Sequence, residues 1–145
     1  MEEIFGIEKI REILPHRYPF MLIDRVTEIN ESEGLVKGYK NVTVNESIFQ
    51  GHFPNEPVFP GVLMLEAMAQ LGAILILKRF PPEKRMAYFT GIDKARFKRV
   101  VIPGDRLDIE VKLIRERHPF VQMEGTVKVD GELAASAVLM AALKV

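Results

Sequence analysis

From Val62 to Leu77 the chain runs through Leu, Met, Ala and Ile with one ionisable side chain, Glu66. Burying a carboxylate without partners costs on the order of several kcal/mol. Such a group therefore has a polar partner, an exposed position, or a raised pKa put to use. Gln70 falls four residues on, on the same helical face, and offers a hydrogen bond. Upstream, His52 sits in Gln50-Gly51-His52-Phe53-Pro54, inside a loop stiffened by Pro54, Pro57 and Pro60. An imidazole changes protonation near neutral pH, and a partly buried glutamic acid can keep its proton there. Together they can remove one proton and donate another. Gly61 follows Pro60 at the helix start, where a residue without Cβ lets a ligand approach free N–H groups and the helix dipole. Those donors can polarise a carbonyl such as that of a thioester. Each signal also has a plainer explanation: a wet stripe for Glu66, an ordinary loop histidine for His52, a simple Pro-Gly turn for Gly61.

The remaining histidines say less. His16, between Pro15 and Arg17, is expected to pack against or cap the first helix, and His118 before Pro119 to sit in a turn. Three histidines so dispersed have no metal-ligand spacing. There is no phosphate loop, dinucleotide fingerprint or Gly-x-Ser-x-Gly elbow. With no cysteine, thiolate nucleophiles, disulfides and cysteine-based metal sites are excluded. Neither metal nor cofactor is expected.

Several elements must hold these residues. Ile7, Ile10, Ile13 and Leu14 line one side of a short helix that Pro15 stops. A strand is expected over 20–29, a turn over 30–34 and a second strand over 35–42. Glycine and proline punctuate 47–61 too densely for a regular element. The helix over 62–77 is apolar nearly all round, so protein should bury most of it. Less regular strands are expected over 85–92 and 96–101, with a turn at Pro103-Gly104-Asp105. Leu107, Ile109, Val111 and Leu113 alternate with charged residues, as do Val121, Met123, Val127 and Val129 with polar ones. Asp130-Gly131 signals a hairpin into a last strand, 132–143. One long buried helix against antiparallel strands is an α+β architecture.

The 145 residues carry 20 basic and 20 acidic side chains, a formal net charge of zero. One domain with one core is expected over 1–145. No overall field favours nucleic acid or an anionic membrane, and none resists self-association. The acidic start, Met1-Glu2-Glu3-Ile4-Phe5, lacks the pattern of a secretion signal, and the apolar run near 61–77 is too short and too interrupted for a membrane span. A soluble cytoplasmic protein is the expectation.

The segment Gly51-His52-Phe53-Pro54-Asn55-Glu56-Pro57-Val58-Phe59-Pro60-Gly61-Val62-Leu63-Met64-Leu65-Glu66-Ala67-Met68-Ala69-Gln70 closely resembles the 3-hydroxyacyl-[acyl-carrier-protein] dehydratases of bacterial type II fatty acid synthesis. The resemblance continues in Leu14-Pro15-His16-Arg17-Tyr18-Pro19-Phe20-Met21-Leu22-Ile23-Asp24-Arg25, in Gly91-Ile92-Asp93-Lys94-Ala95-Arg96-Phe97 and in Pro103-Gly104-Asp105. It implies a hot-dog fold, a curved antiparallel sheet wrapped around a long helix. It implies homodimers, assembled as a trimer of dimers into a homohexamer. His52 of one subunit would face Glu66 of the other at the mouth of an acyl tunnel, with Tyr88 or Phe89 at its entrance or wall. The implied reaction converts a (3R)-3-hydroxyacyl thioester to the trans-2-enoyl thioester and water. The related dehydratase-isomerases carry Asp at the acidic position, so Glu66 implies dehydration without isomerisation. Lys94, Arg96, Lys98 and Arg99 form a local positive run that could steer an acidic acyl carrier protein with its phosphopantetheine arm. A solvated edge strand guarded by charge explains the same run. Two other readings stay open on this scaffold: a thioesterase that uses a carboxylate to activate water, and a non-catalytic acyl-binding module. Tunnel depth, and with it acyl chain-length preference, has no counterpart in the sequence pattern.

Overall fold

A computed structural model of the chain describes residues 4–144; Met1–Glu3 of the acidic start, and Val145, lie outside them. The order is α1 (Ile7–Ile13), β1 (Arg25–Asn30), β2 (Leu35–Asn41), a 3₁₀ turn (Ser47–Gln50), α2 (Gly61–Leu77), a second 3₁₀ turn (Pro82–Lys84), β3 (Ala87–Phe97), β4 (Arg106–Arg117), β5 (Phe120–Val129) and β6 (Glu132–Leu143). The six strands form one antiparallel sheet in the order β1-β2-β4-β5-β6-β3. Helix α2 packs against its inner face, contacting β2, β4, β5 and β6. This is the hot-dog arrangement.

The alternation in the last strands sets which face is inside. Leu107, Ile109, Val111, Val121, Met123, Val127 and Val129 are buried against α2, while intervening charged residues point to solvent. Two sheet glycines admit the helix. A Cβ on Gly38 would lie 2.5 Å from the Arg25 backbone oxygen and 2.9 Å from Leu71, and one on Gly125 would lie 2.9 Å from the Met68 sulfur. Leu71 and Met68 of α2 thus sit in holes made by missing side chains. At the helix C-terminus Lys78 and Arg79 pair with Glu31 of the β1–β2 turn, and Arg79 with Glu116 at 3.0 Å, cations placed where the helix dipole favours them.

Three expectations need correction. The strand expected from residue 20 begins at Arg25, because the Gln70 side chain, not a neighbouring strand, satisfies the backbone of Phe20 and Leu22. The two strands expected over 85–92 and 96–101 are one, β3, ending at Phe97. Its pairing with β6 shifts between Asp93 and Arg96, with Lys94 at φ 53°, and this bulge breaks the alternation that sequence reading relies on. Ile7, expected on the apolar side of α1, is exposed, while Ile10, Ile13 and Leu14 are buried. The Asp130-Gly131 hairpin forms as expected, both residues at positive φ (50° and 80°), as a two-residue type I′ turn requires.

Candidate active site

Helix α2 is so apolar that the sheet, α1 and the adjoining loops cover nearly all of it; Val62, Glu66, Ala69 and Ala73 form the stripe left partly open. Glu66 is held there by Gln70, whose Nε2 donates to Glu66 Oε2 at 2.9 Å. Gln70 is almost fully buried, and it also donates to the Phe20 carbonyl at 2.8 Å and accepts from the Leu22 N–H at 2.9 Å. One amide therefore fixes the carboxyl and folds the 20–22 segment over it. Burial pushes the Glu66 carboxyl above the usual carboxylate range, and the Gln70 hydrogen bond opposes that only in part. With Oε2 accepting from Gln70, the proton of the neutral acid belongs on Oε1.

His16 departs from its expected role of packing against or capping the first helix. Its Nε2 lies 3.6 Å from Glu66 Oε2, and the ring stacks near Phe20, with centroids 6.2 Å apart. Arg17 fixes the turn that delivers it, donating to the carbonyls of Arg11, Leu14 and His16 at 2.6–2.9 Å. Burial, then the Arg17 charge, holds the His16 pKa down, and burial raises that of Glu66, so both shifts favour the neutral pair over the ion pair. His16 Nδ1 is buried with no hydrogen-bond partner. An orphaned acceptor is tolerated better than an orphaned N–H, which puts the ring proton on Nε2, toward Glu66. No short-range pattern around Leu14-Pro15-His16 announces this contact. It depends on where the chain turns after Pro15.

His52 is positioned by its own loop. Its Nδ1 lies 2.6 Å from the Val58 carbonyl, which makes Nδ1 the protonated nitrogen and leaves Nε2 with a free lone pair. The ring stacks on Phe53 at 4.1 Å, and the His52-Phe53 peptide is cis. His52 does not line the cavity that Glu66 lines; the chain brings Glu66, Gln70 and His16 together and leaves His52 apart from them. Gly61 opens α2, where a Cβ would meet the Phe97 ring at 2.8 Å. An aromatic side chain of the protein fills the space there, and the Gly61 N–H has no backbone acceptor among the described residues.

Tyr88 and Phe89 both border a cavity of about 60 Å³ beside Glu66, lined also by His16, Gln70, Met123 and aliphatic side chains. The Tyr88 hydroxyl donates to the Met86 sulfur at 3.0 Å. Of the positive run, Lys94, Arg96 and Lys98 are exposed. Arg99 is drawn instead onto Glu132 at 3.0 Å and the Val129 carbonyl at 3.3 Å. His118 occupies the β4–β5 turn and stacks near Phe80. Among the described residues no group of three or more His, Asp or Glu could hold a metal ion.

A carboxyl whose pKa burial raises, on the wall of a mostly apolar cavity, suits proton donation to a substrate with an apolar chain. Comparisons with known proteins point to one family. The model of the family described as "FabA-like domain" matches residues 14–138. The chain is 52% identical over 136 residues to the 3-hydroxyacyl-[acyl-carrier-protein] dehydratase FabZ of Bacillus licheniformis, covering 94% of each chain. It is 51% identical over 144 residues to the enzyme of the same name from Nitratidesulfovibrio vulgaris, covering 98% of this chain and 93% of that one. Among solved structures, the dehydratase heterocomplex ApeI:P from Xenorhabdus doucetiae shares the fold at a TM-score of 0.76 with 22% identity, covering 92% of this chain and 90% of that one.

Proposed function

This chain belongs to the FabA-like family and catalyses the reversible dehydration of 3-hydroxyacyl-[acyl-carrier-protein] to the enoyl thioester, and we propose that Glu66 and His52, supplied by two copies of the chain, are its acid and base. The observation that carries the assignment is the setting of Glu66: a half-buried carboxyl whose pKa burial raises, with one oxygen engaged by Gln70, on the wall of a mostly apolar cavity.

In this reading the Nε2 lone pair of His52 removes a proton from C2 of the substrate. The C2–H electron pair forms the C2=C3 double bond, and the C3–O bond breaks as Glu66 passes its proton to the departing hydroxyl. Water leaves; His52 ends protonated and Glu66 ionised, and hydration of the enoyl thioester reverses each transfer. Charge developing on the thioester oxygen is met by the Gly61 N–H at the start of α2. Both proton transfers need their groups within hydrogen-bond reach of adjacent carbons.

The separation of His52 from the Glu66 cavity within one chain supports a site shared between subunits. So does β3, the edge strand beside β6, which presents Tyr88, Phe89, Ile92 and Phe97 to solvent, a combination that proteins otherwise avoid. Two copies joined along β3 by a twofold axis would form two equivalent sites, and family resemblance extends this to a trimer of dimers. Lys94, Arg96 and Lys98 serve to attract the acidic carrier. We place the enzyme in the cytoplasm, in keeping with its lack of cysteine.

The test follows purified protein with carrier-linked 3-hydroxyacyl and trans-2-enoyl substrates. Dehydration and hydration are both expected, each falling by about 10²–10⁴-fold in H52A and E66Q. Thiol release without interconversion, or full activity in either variant, would overturn the assignment.

A further inference from the structure

The cavity beside Glu66 has a direction. Its floor is one stripe of α2, Glu66, Ala69, Ala73, then Ile76 and Leu77, at the three- and four-residue spacing that keeps side chains on one helical face. Packing against the sheet orients the rest. Met68 fills the space at Gly125, and one turn further along α2 Gly72 meets Met123, so β5 runs back beside the helix toward Val121. Val121 pairs with Ala141, and Leu143, two residues on, is bound through its N–H to the Pro119 carbonyl. Leu143 therefore lies level with the C-terminal end of α2, far from Glu66. The polar side chains of the lining, His16, Glu66 and Gln70, gather at the opposite end, Tyr88 apart.

The geometry points to Leu77 and Leu143 as the stop that sets the longest acyl chain accepted, with Ala73 as the bore leading to it. This rests on the dehydratase reading above. Leu77 lies eleven residues beyond Glu66, about 16 Å along the axis at roughly 1.5 Å per residue. An extended chain advances roughly 1.3 Å per carbon, given C–C bonds of about 1.5 Å, so about twelve carbons beyond C3 reach the stop. The open volume of about 60 Å³ is far smaller than such a chain. Met123, on the wall at mid-length, is the adaptable side chain there, a flexible thioether able to change rotamer. Short chains end before Ala73; long ones pass over it and meet Leu77 and Leu143.

The experiment compares kcat/KM of the wild type, A73L and L143A on four-carbon and sixteen-carbon carrier-linked trans-2-enoyl substrates. Each methylene gained or lost from burial changes kcat/KM roughly fourfold. Ala73→Leu is expected to lower the long-to-short ratio by at least about tenfold, and Leu143→Ala to raise it several-fold, roughly the value of one or two methylenes. The four-carbon rate shows whether a variant is folded; if one is not, the ratio of the other decides. An unchanged ratio in an active variant would overturn the stop, whereas a wild type inactive on both lengths would overturn the dehydratase reading instead.

Discussion

At the scale of single residues, the account depends on Glu66 keeping its proton. Burial raises its pKa, so Glu66 should set the alkaline limb of the pH–rate profile, with activity falling as pH increases through that raised value. Gln70 donates to the carboxyl and stabilises its ionised form, so Gln70→Leu should move the alkaline limb of the pH–rate profile upward. A limb that stays in place would detach Gln70 from the acid. The same variant leaves the Leu22 N–H and Phe20 carbonyl without partners, and each buried orphan costs about 1–3 kcal/mol, a loss readable in the urea midpoint. The raised pKa also has a sign for stability: the neutral form favours folding at low pH, and that benefit is lost as pH rises through the folded pKa. Glu66→Gln, which cannot ionise, should therefore gain stability relative to the wild type as the solution is made alkaline. A difference independent of pH would show that Glu66 is not the buried titrating group.

Among the elements, α2 and the sheet were the most legible, because a nearly unbroken apolar helix and strands of strict alternation each have one way to be buried. The helix over 62–77 was one residue short, and β6 matched to the residue. Sequence reading failed where a side chain replaced a strand partner. Gln70 satisfies the backbone at Phe20 and Leu22, and no local pattern reveals a bond across 48 or 50 residues. It failed again at Lys94, whose bulge divides β3 in the sequence but not in space. Glu66 was legible from its cost among apolar neighbours and Gln70 from its spacing; His16 was not, since its contact with Glu66 follows from the turn after Pro15. The helix–sheet contact gives its own test. Gly38→Ala would drive a methyl against the Arg25 backbone oxygen, which cannot swing aside; a loss of about 3 kcal/mol or more is expected by urea denaturation. A neutral substitution would show that β1 and β2 are not packed this closely.

For the whole molecule, neutrality overall with a local positive run separates two properties. Neutralising Lys94, Arg96 and Lys98 together should raise KM several-fold for carrier-linked substrate at low salt, with little change for a pantetheine-linked surrogate. Equal effects on both would remove the docking role; Arg99, held by Glu132, should contribute less than the others. Light scattering is expected to give six chains of 16.5 kDa, about 99 kDa, for a trimer of dimers. The central claim is that each site takes His52 from one chain and Glu66 from another, and it is tested most directly by mixing. H52A and E66Q are each expected to be nearly inactive alone. Unfolded together in equal amounts and refolded, they form mixed dimers in half of the random pairings, each with one intact site, so about a quarter of wild-type activity should return. If both residues of a site come from the same chain, every mixed site is defective, and activity no higher than that of the separate variants would contradict the account.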